Sequence, residues 1–207
     1  MRGYPYLRGK GELSGMARVY RPAEDSLLLL AHARGRVHGS VLDMGTGSGF
    51  LAVEVASEPL VDEVVAVDVD PEAVKEAVKR AEEAGVADRI DFVVSDLFRG
   101  LEGRRFNWIL FNPPYLPSEG AADEASWAGG KVGDETTMRF LHEAGGHLEL
   151  DGAIILVYSS HTGLDLGEVE KMYTVYKLGE SSLFFERLVC LMLEPVSPSG
   201  TRGRSRR

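Results

Sequence analysis

The residues of this sequence best suited to chemistry directly follow the apolar run 106–111. They are Asn112, Pro113, Pro114 and Tyr115. Proline lacks a backbone N–H and fixes its own φ, so the two prolines predict a stiff, extended segment after a buried strand. Such a segment holds the Asn112 side chain and nearby carbonyl oxygens as fixed acceptors, while Tyr115 supplies a flat ring. This set suits a planar group that carries an NH2, although a proline-ended strand followed by a plain loop would have the same composition.

Acids and glycines follow three other apolar runs, and the residues concerned are Asp43, Gly45, Gly47, Gly49, Asp68 and Asp96. A glycine turn between a strand and a helix lets a ligand approach the backbone closely. Asp68 follows at about the 20-residue spacing at which dinucleotide-type folds place an acid on ribose hydroxyls. Because the glycine turn has no basic residue and no Gly-Lys-Ser/Thr ending, an uncharged sugar with adenine and a cationic group fits better than a phosphate. The same acids could instead cap helices or satisfy backbone groups at strand ends.

The elements that must position these residues alternate between strand and helix. The predicted strands are 41–44, 64–68, 90–94, 106–111, 153–158, 174–181 and 186–194. The predicted helices are 22–33, 50–57, 71–84, 137–150 and 164–173. This pattern predicts an α/β fold with a mostly parallel, seven-stranded sheet that ends in an antiparallel hairpin strand. Ligands bind beyond the carboxyl ends of the strands in such sheets, which is where the polar residues above fall.

Composition limits the classes of protein that this chain can represent. We expect one domain over residues 1–196, with an irregular arm at 1–20 and a basic, disordered tail at 197–207. A net charge of -9 argues against a protein that holds nucleic acid mainly through phosphates. Cys190 is the one cysteine, so disulfides and a metal site are not expected. No apolar run has membrane-spanning length or the character of a secretory signal, which predicts a cytoplasmic protein.

On these residues the chain resembles the class I methyltransferases that use S-adenosyl-L-methionine. The shared motifs are the glycine turn 43–49, the acids Asp68 and Asp96, and the Asn-Pro-Pro-Tyr segment 112–115. Within that class it is most similar to the HemK-type glutamine methyltransferases of peptide-chain release factors. The stretches 19–26 and 127–133 resemble the short archaeal and eukaryotic branch, which lacks the separate N-terminal domain of the bacterial enzymes.

The resemblance implies a Rossmann-like class I methyltransferase fold and a role for each motif. It implies cofactor contacts from Ser26, Asp43, Gly45, Gly47, Gly49, Asp68, Asp96, Leu97 and Asn112. The region of Ser26 and the glycine turn would surround the methionine end, Asp68 would hold the ribose, and Asp96 with Leu97 would contact adenine. The implied catalytic residues are Asn112, Pro113, Pro114 and Tyr115.

The resemblance also implies an acceptor and a partner. The expected acceptor is the glutamine of the Gly-Gly-Gln motif of a class 1 release factor, methylated on N5. The alternatives are an N6-adenine methyltransferase on DNA or RNA, a lysine or small-molecule methyltransferase, and an inactive cofactor-binding subunit. Enzymes of this branch commonly act with a small zinc-binding activator that covers an apolar sheet edge. If this property carries over, strand 90–94 is the expected edge.

Overall fold

The computed structural model of this protein describes residues 24–113, 132–182 and 186–196. The strands are β1 (Gly39–Met44), β2 (Val61–Asp68), β3 (Ile90–Val94), β4 (Phe106–Phe111), β5 (Leu148–Ser159), β6 (Tyr173–Ser182) and β7 (Arg187–Pro195). The helices are α1 (Glu24–Ala33), α2 (Phe50–Ala56), α3 (Pro71–Ala84), α4 (Val132–Ala144) and α5 (Leu166–Met172). Within these residues no helix is long and apolar enough to cross a membrane.

The described strands form a seven-stranded sheet in the order β3-β2-β1-β4-β5-β7-β6. Strands β1 to β5 pair in parallel, whereas β7 is antiparallel to both of its neighbours, β5 and β6. This topology confirms the predicted fold class, including the antiparallel strand near the C-terminus. It also confirms that the predicted edge strand, β3, lies at the end of the sheet.

Both faces of the sheet are buried, because helices cover both sides. Successive residues of β2 alternate between two apolar clusters, with Val64 in the cluster that contains α1 and α2 and Val65 in the cluster that contains α4. Parallel strands with both faces covered are near-continuously apolar. Polar side chains are therefore displaced to the strand ends, where the candidate site lies.

Sequence reasoning placed the boundaries of α4 and β5 wrongly. The helix predicted at 137–150 begins at Val132 and ends at Ala144. A 3-10 turn over Gly145–His147 follows, because paired glycines favour leaving the α-helix. The predicted turn at 151–152 lies inside β5, where an added Cβ on Gly152 would be 2.9 Å from the carbonyl oxygen of Phe106. Gly152 therefore allows close contact between β5 and β4 and does not form a turn.

Several predictions concern residues outside the described part of the chain. They are the arm at 1–20, the start of the first predicted helix, Pro114 and Tyr115, most of the stretch 127–133, and the tail at 197–207. The predictions made for these residues stay predictions, and so does the single-domain boundary at 196.

Candidate active site

The glycine turn between β1 and α2 has a backbone that only glycine adopts easily. Gly45, Gly47 and Gly49 have φ angles of +67°, +53° and +76°, a region that costs other L-residues about 1–2 kcal/mol each. An added Cβ on Gly49 would lie 2.7 Å from the Cα of Ala77, so this glycine allows close contact with α3. Among the described residues, and apart from its own chain neighbours, an added Cβ on Gly47 would meet no atom within 4 Å. Gly47 therefore borders open space, while Gly49 serves packing.

Two aspartates at the ends of β1 and β2 hold the glycine turn in place. Asp43 accepts hydrogen bonds through Oδ2 from the Thr46 hydroxyl (2.7 Å) and the Ala52 N–H (3.1 Å). Asp68 accepts through Oδ2 from the Gly47 N–H at 2.8 Å. Hydrogen bonds that an ionised carboxylate accepts from N–H groups are stronger than hydrogen bonds between neutral groups. The two acids thus fix the turn from both sides.

Asp43 is an unusual acid because it is only 1% exposed. Burial raises its pKa to about 7; the hydrogen bonds from Thr46 and Ala52 oppose this shift, and the neighbouring Asp68 carboxylate adds to it. Its Oδ1 has no hydrogen-bond partner among the described residues. Near neutral pH this carboxyl group therefore holds a proton for a substantial part of the time.

A cavity of about 550 Å³ opens at the carboxyl ends of β1 to β4, within the range of small-molecule sites. Its lining residues are Asp25, Met44, Gly45, Gly47, Asp68, Val69, Ser95, Asp96, Leu97, Phe111, Asn112, Pro113 and Thr136. Of these described residues, three are carboxylates and none is basic. The lining therefore favours a ligand that is neutral or carries positive charge.

Asp96, which lines the cavity, is held by a contact with α4. Arg139 Nη2 lies 3.2 Å from Asp96 Oδ1 and 3.0 Å from Oδ2, and Arg99 Nη1 lies 3.6 Å from Oδ2. Leu97 follows with φ +52°, the one non-glycine in the described residues with a positive φ. Strain of this kind clusters at functional sites. The ion pair joins the end of β3 to α4 across the cavity wall.

Asn112 meets α1 on another wall of the cavity. Its Nδ2 donates a hydrogen bond to the Ser26 hydroxyl at 3.1 Å, although the two residues are 86 positions apart in the chain. Ser26 lies in the first part of α1 and is only 7% exposed. The contact ties the end of β4 to a helix that covers the same end of the sheet.

The sequence-predicted residues divide into two groups in space. Those that line the cavity are Gly45, Gly47, Asp68, Asp96, Leu97, Asn112 and Pro113. Ser26, Asp43 and Gly49 are not among the lining residues, and their predicted cofactor contacts stay predictions. Sequence reasoning did not select Asp25, Thr136 or Arg139. Asp25 could have been selected because it neighbours Ser26, whereas no local pattern connects α4 with the acid at the end of β3.

Residues 20–178 match the family described as the methyltransferase small domain. The chain belongs to this family. Membership makes it a methyltransferase and confirms the enzyme class that the motifs predicted. The motif positions agree with this result, because the matched range includes the glycine turn, Asp68, Asp96 and Asn112.

Several relatives of this methyltransferase are named as glutamine methyltransferases. A protein of Methanocaldococcus jannaschii, provisionally named protein N5-glutamine methyltransferase, is 39% identical over 152 residues, which are 70% of this chain and 74% of the relative. A release factor glutamine methyltransferase of Koribacter versatilis is 31% identical, covering 77% of this chain and 61% of the relative. A ribosomal protein uL3 glutamine methyltransferase of Bordetella pertussis is 37% identical, covering 56% and 42%. These names confirm the predicted resemblance; the chain spans less than two thirds of the two bacterial relatives.

Solved structures show the same fold. A 16S rRNA N2 G1207 methyltransferase of T. thermophilus, solved with AdoMet and guanosine, has a TM-score of 0.69 at 25% identity and matches 86% of this chain and 45% of its own. The Mtq2–Trm112 complex of E. cuniculi, named for methylation of the termination factor eRF1, has a TM-score of 0.62 at 22% identity and matches 86% and 98%. The second likeness concerns the fold alone.

Proposed function

We propose that this methyltransferase transfers a methyl group from S-adenosyl-L-methionine to N5 of the glutamine in the Gly-Gly-Gln motif of a class 1 release factor. The observation that carries the proposal is that Asn112 and Pro113 share one cavity with the glycine turn, Asp68 and Asp96. A cofactor site and a site for a planar amide nitrogen are thereby next to each other. The names of the archaeal relative and of the release factor methyltransferase support glutamine as the acceptor.

The cavity fits the proposed cofactor. Gly47 leaves room against the backbone, and the carboxylates of Asp68 and Asp96 can accept hydrogen bonds from sugar hydroxyls and from an exocyclic amine. When bound, the cofactor supplies a methyl carbon already activated by a positively charged sulfur. The acidic lining, which includes Asp25, favours that positive charge.

The main task of the protein is to hold the acceptor nitrogen in position. A carboxamide nitrogen is a poor nucleophile, because its lone pair is delocalised into the carbonyl group. The Asn112 oxygen and the Pro113 carbonyl would accept its two N–H bonds, and Tyr115 would pack on the plane of the amide. Acceptors held in this way favour the positive charge that develops on nitrogen during transfer. We assign no residue as a dedicated base, and the proton leaves to water.

A small zinc-binding activator is part of this proposal, and so is a cytoplasmic location, where release factors act. The E. cuniculi structure, in which Mtq2 forms a complex with Trm112, supports the presence of a partner subunit. Strand β3 is an unpaired edge of the described sheet, with Val94 52% exposed and Phe92 half-buried. An apolar sheet edge of this kind is an aggregation site unless another chain covers it.

The test is transfer of labelled methyl from S-adenosyl-L-methionine to the release factor of the source organism, with and without the activator. Mass spectrometry locates the modified residue. We expect the label on the motif glutamine. Replacing Asn112 with alanine should reduce kcat by about a hundredfold, with a much smaller change in cofactor affinity. Equal losses in kcat and in cofactor affinity would contradict the positioning role of Asn112.

Two relatives favour other acceptors that the same assay can detect. The Bordetella pertussis relative is named for a glutamine of ribosomal protein uL3. The T. thermophilus structure is named for a guanine amino group of 16S rRNA, which is another planar nitrogen. Ribosomal protein uL3, ribosomal RNA and duplex DNA are therefore included as substrates. Label on any of them and none on the release factor would replace the proposed acceptor.

A further inference from the structure

The contact between Ser26 and Asn112 links a buried hydroxyl to the residue proposed to bind the methyl acceptor. The Asn112 Nδ2 donates to Ser26 Oγ at 3.1 Å, and Ser26 is only 7% exposed. The bond is partly buried, so water competes for it less than for a hydrogen bond on the open surface. Ser26 is not among the residues that line the cavity, whereas Asn112 is.

We propose that Ser26 is a positioning residue for the methyl acceptor and acts through the Asn112 side chain. The Ser26 oxygen accepts a hydrogen bond from the NH2 group of the Asn112 side chain. This contact orients the amide so that its oxygen is presented to the methyl acceptor. A serine hydroxyl accepts through its lone pairs and still has one proton to donate, so Ser26 can accept from Asn112 and donate a second hydrogen bond at the same time. The inference rests on the proposed function for its kinetic part only.

The composition of the chain allows a direct spectroscopic test. The sequence contains two asparagines, Asn107 and Asn112, and no glutamine. The side-chain amide region of a 1H–15N correlation spectrum of the 15N-labelled full chain should therefore show two NH2 pairs. Replacing Asn112 with alanine removes one pair and assigns both.

A matched serine–asparagine pair elsewhere in the fold serves as the control. Asn107 Oδ1 accepts from the Ser40 N–H at 2.9 Å and from its hydroxyl at 3.2 Å, at the start of β1 and β4. That pair lies at the opposite ends of these strands from the cavity. We expect Ser26→Ala to move the Asn112 resonances and spare those of Asn107, and Ser40→Ala to do the reverse.

Kinetics then test positioning against a cofactor contact. We expect Ser26→Ala to lower kcat for methyl transfer by about two- to tenfold, with the dissociation constant for S-adenosyl-L-methionine unchanged. Ser26→Thr, which keeps the hydroxyl, should restore kcat, and Ser40→Ala should match the wild type. In an Asn112→Ala background, Ser26→Ala should have no further effect, because its action passes through Asn112.

Three outcomes would overturn the inference. They are unmoved Asn112 resonances in Ser26→Ala, weaker cofactor binding with an unchanged kcat, and an undiminished Ser26→Ala effect in the Asn112→Ala background. A wild-type protein that leaves the release factor unlabelled would refute the proposed acceptor instead. In that case the amide spectrum still decides whether Ser26 holds Asn112.

Discussion

At the scale of single residues, the four strand-end acids and amides have different environments and therefore different tasks. Asp43 is buried behind the glycine turn, Asp68 binds the turn and lines the cavity, and Asp96 is paired with Arg139. Asn112, at the end of β4, is held by a serine of α1. Residues of similar type at equivalent strand ends thus differ in burial, in hydrogen-bond partners and in exposure to the cavity.

The raised pKa of Asp43 predicts a dependence of stability on pH. Its folded pKa is about 7 against an ordinary value of 3.8, so the native state keeps a proton that the unfolded chain loses between pH 4 and 7. The contribution of Asp43 to the free energy of unfolding should therefore fall as pH rises through this window, by about 4 kcal/mol at most.

Asp43→Asn removes this titration. Urea unfolding of both proteins at pH 4 and pH 8 should show the variant gaining stability relative to the wild type; parallel pH profiles would contradict the assignment.

The ion pair of Asp96 with Arg139 predicts an effect on cofactor affinity. Arg139 Nη2 contacts both oxygens of the carboxylate and orients them, so Arg139→Met should weaken binding of S-adenosyl-L-methionine. Because both side chains are partly exposed, we expect only about a two- to fivefold rise in the dissociation constant. Arg99→Met is the matched control, since it removes the same charge from a more distant and 76% exposed position. Tighter binding by Arg139→Met, measured by calorimetry, would show that Arg139 competes with the adenine ring.

At the scale of elements, each wall of the cavity depends on a contact between segments distant in the chain. The turn before α2 packs on α3, α4 reaches the end of β3, and α1 reaches the end of β4. Phe111 of β4, which lines the cavity, also contacts Phe140 of α4, with ring centroids 4.2 Å apart. The site is therefore as rigid as the packing of the helices on the sheet.

Three glycines with positive φ predict separable effects of alanine substitution. Gly85→Ala, at the end of α3, should cost only the backbone strain of about 1 kcal/mol, because an added Cβ there meets no atom of the described residues within 4 Å. Gly49→Ala should cost at least about 1–3 kcal/mol more, because its Cβ would collide with Ala77. Gly47→Ala should resemble Gly85→Ala in stability but bind the cofactor more weakly. Denaturant midpoints and calorimetry measure these differences; equal stability of the Gly49 and Gly85 variants would refute the close-packing role.

At the scale of the whole molecule, the sheet determines which surfaces face the outside. The edge strand β3 presents Val94 beside the cavity, since Val94 pairs with Asp68 in register and directly precedes the lining residue Ser95. A partner on this edge would therefore stand close to the cofactor acids. This placement relates the proposed activator to the site through one strand.

The exposed edge predicts that one charged substitution will prevent assembly. Val94→Lys should abolish co-purification with the proposed zinc-binding activator, because a lysine on an edge strand opposes pairing with another apolar surface. Leu150→Lys is the matched control, since Leu150 is 98% exposed at the start of β5 and away from this edge. Both variants should unfold in urea within about 0.5 kcal/mol of the wild type. Undisturbed assembly of Val94→Lys, seen by size exclusion, would place the partner elsewhere.

Local sequence was sufficient for the alternation of strands and helices and for the motifs at the strand ends. The bounds of α3, β3 and β4 were predicted as they occur, because apolar periodicity, proline and glycine act over a few residues. Local sequence did not predict the boundaries of α4 and β5, where helix and strand preferences compete around Gly145, Gly146 and Gly152. Only the tertiary structure showed which of the predicted residues line the cavity and which, like Ser26 and Asp43, are not among its lining residues. Those positions, and the pairing of Arg139 with Asp96, depend on contacts between segments far apart in the chain, which no local spacing records.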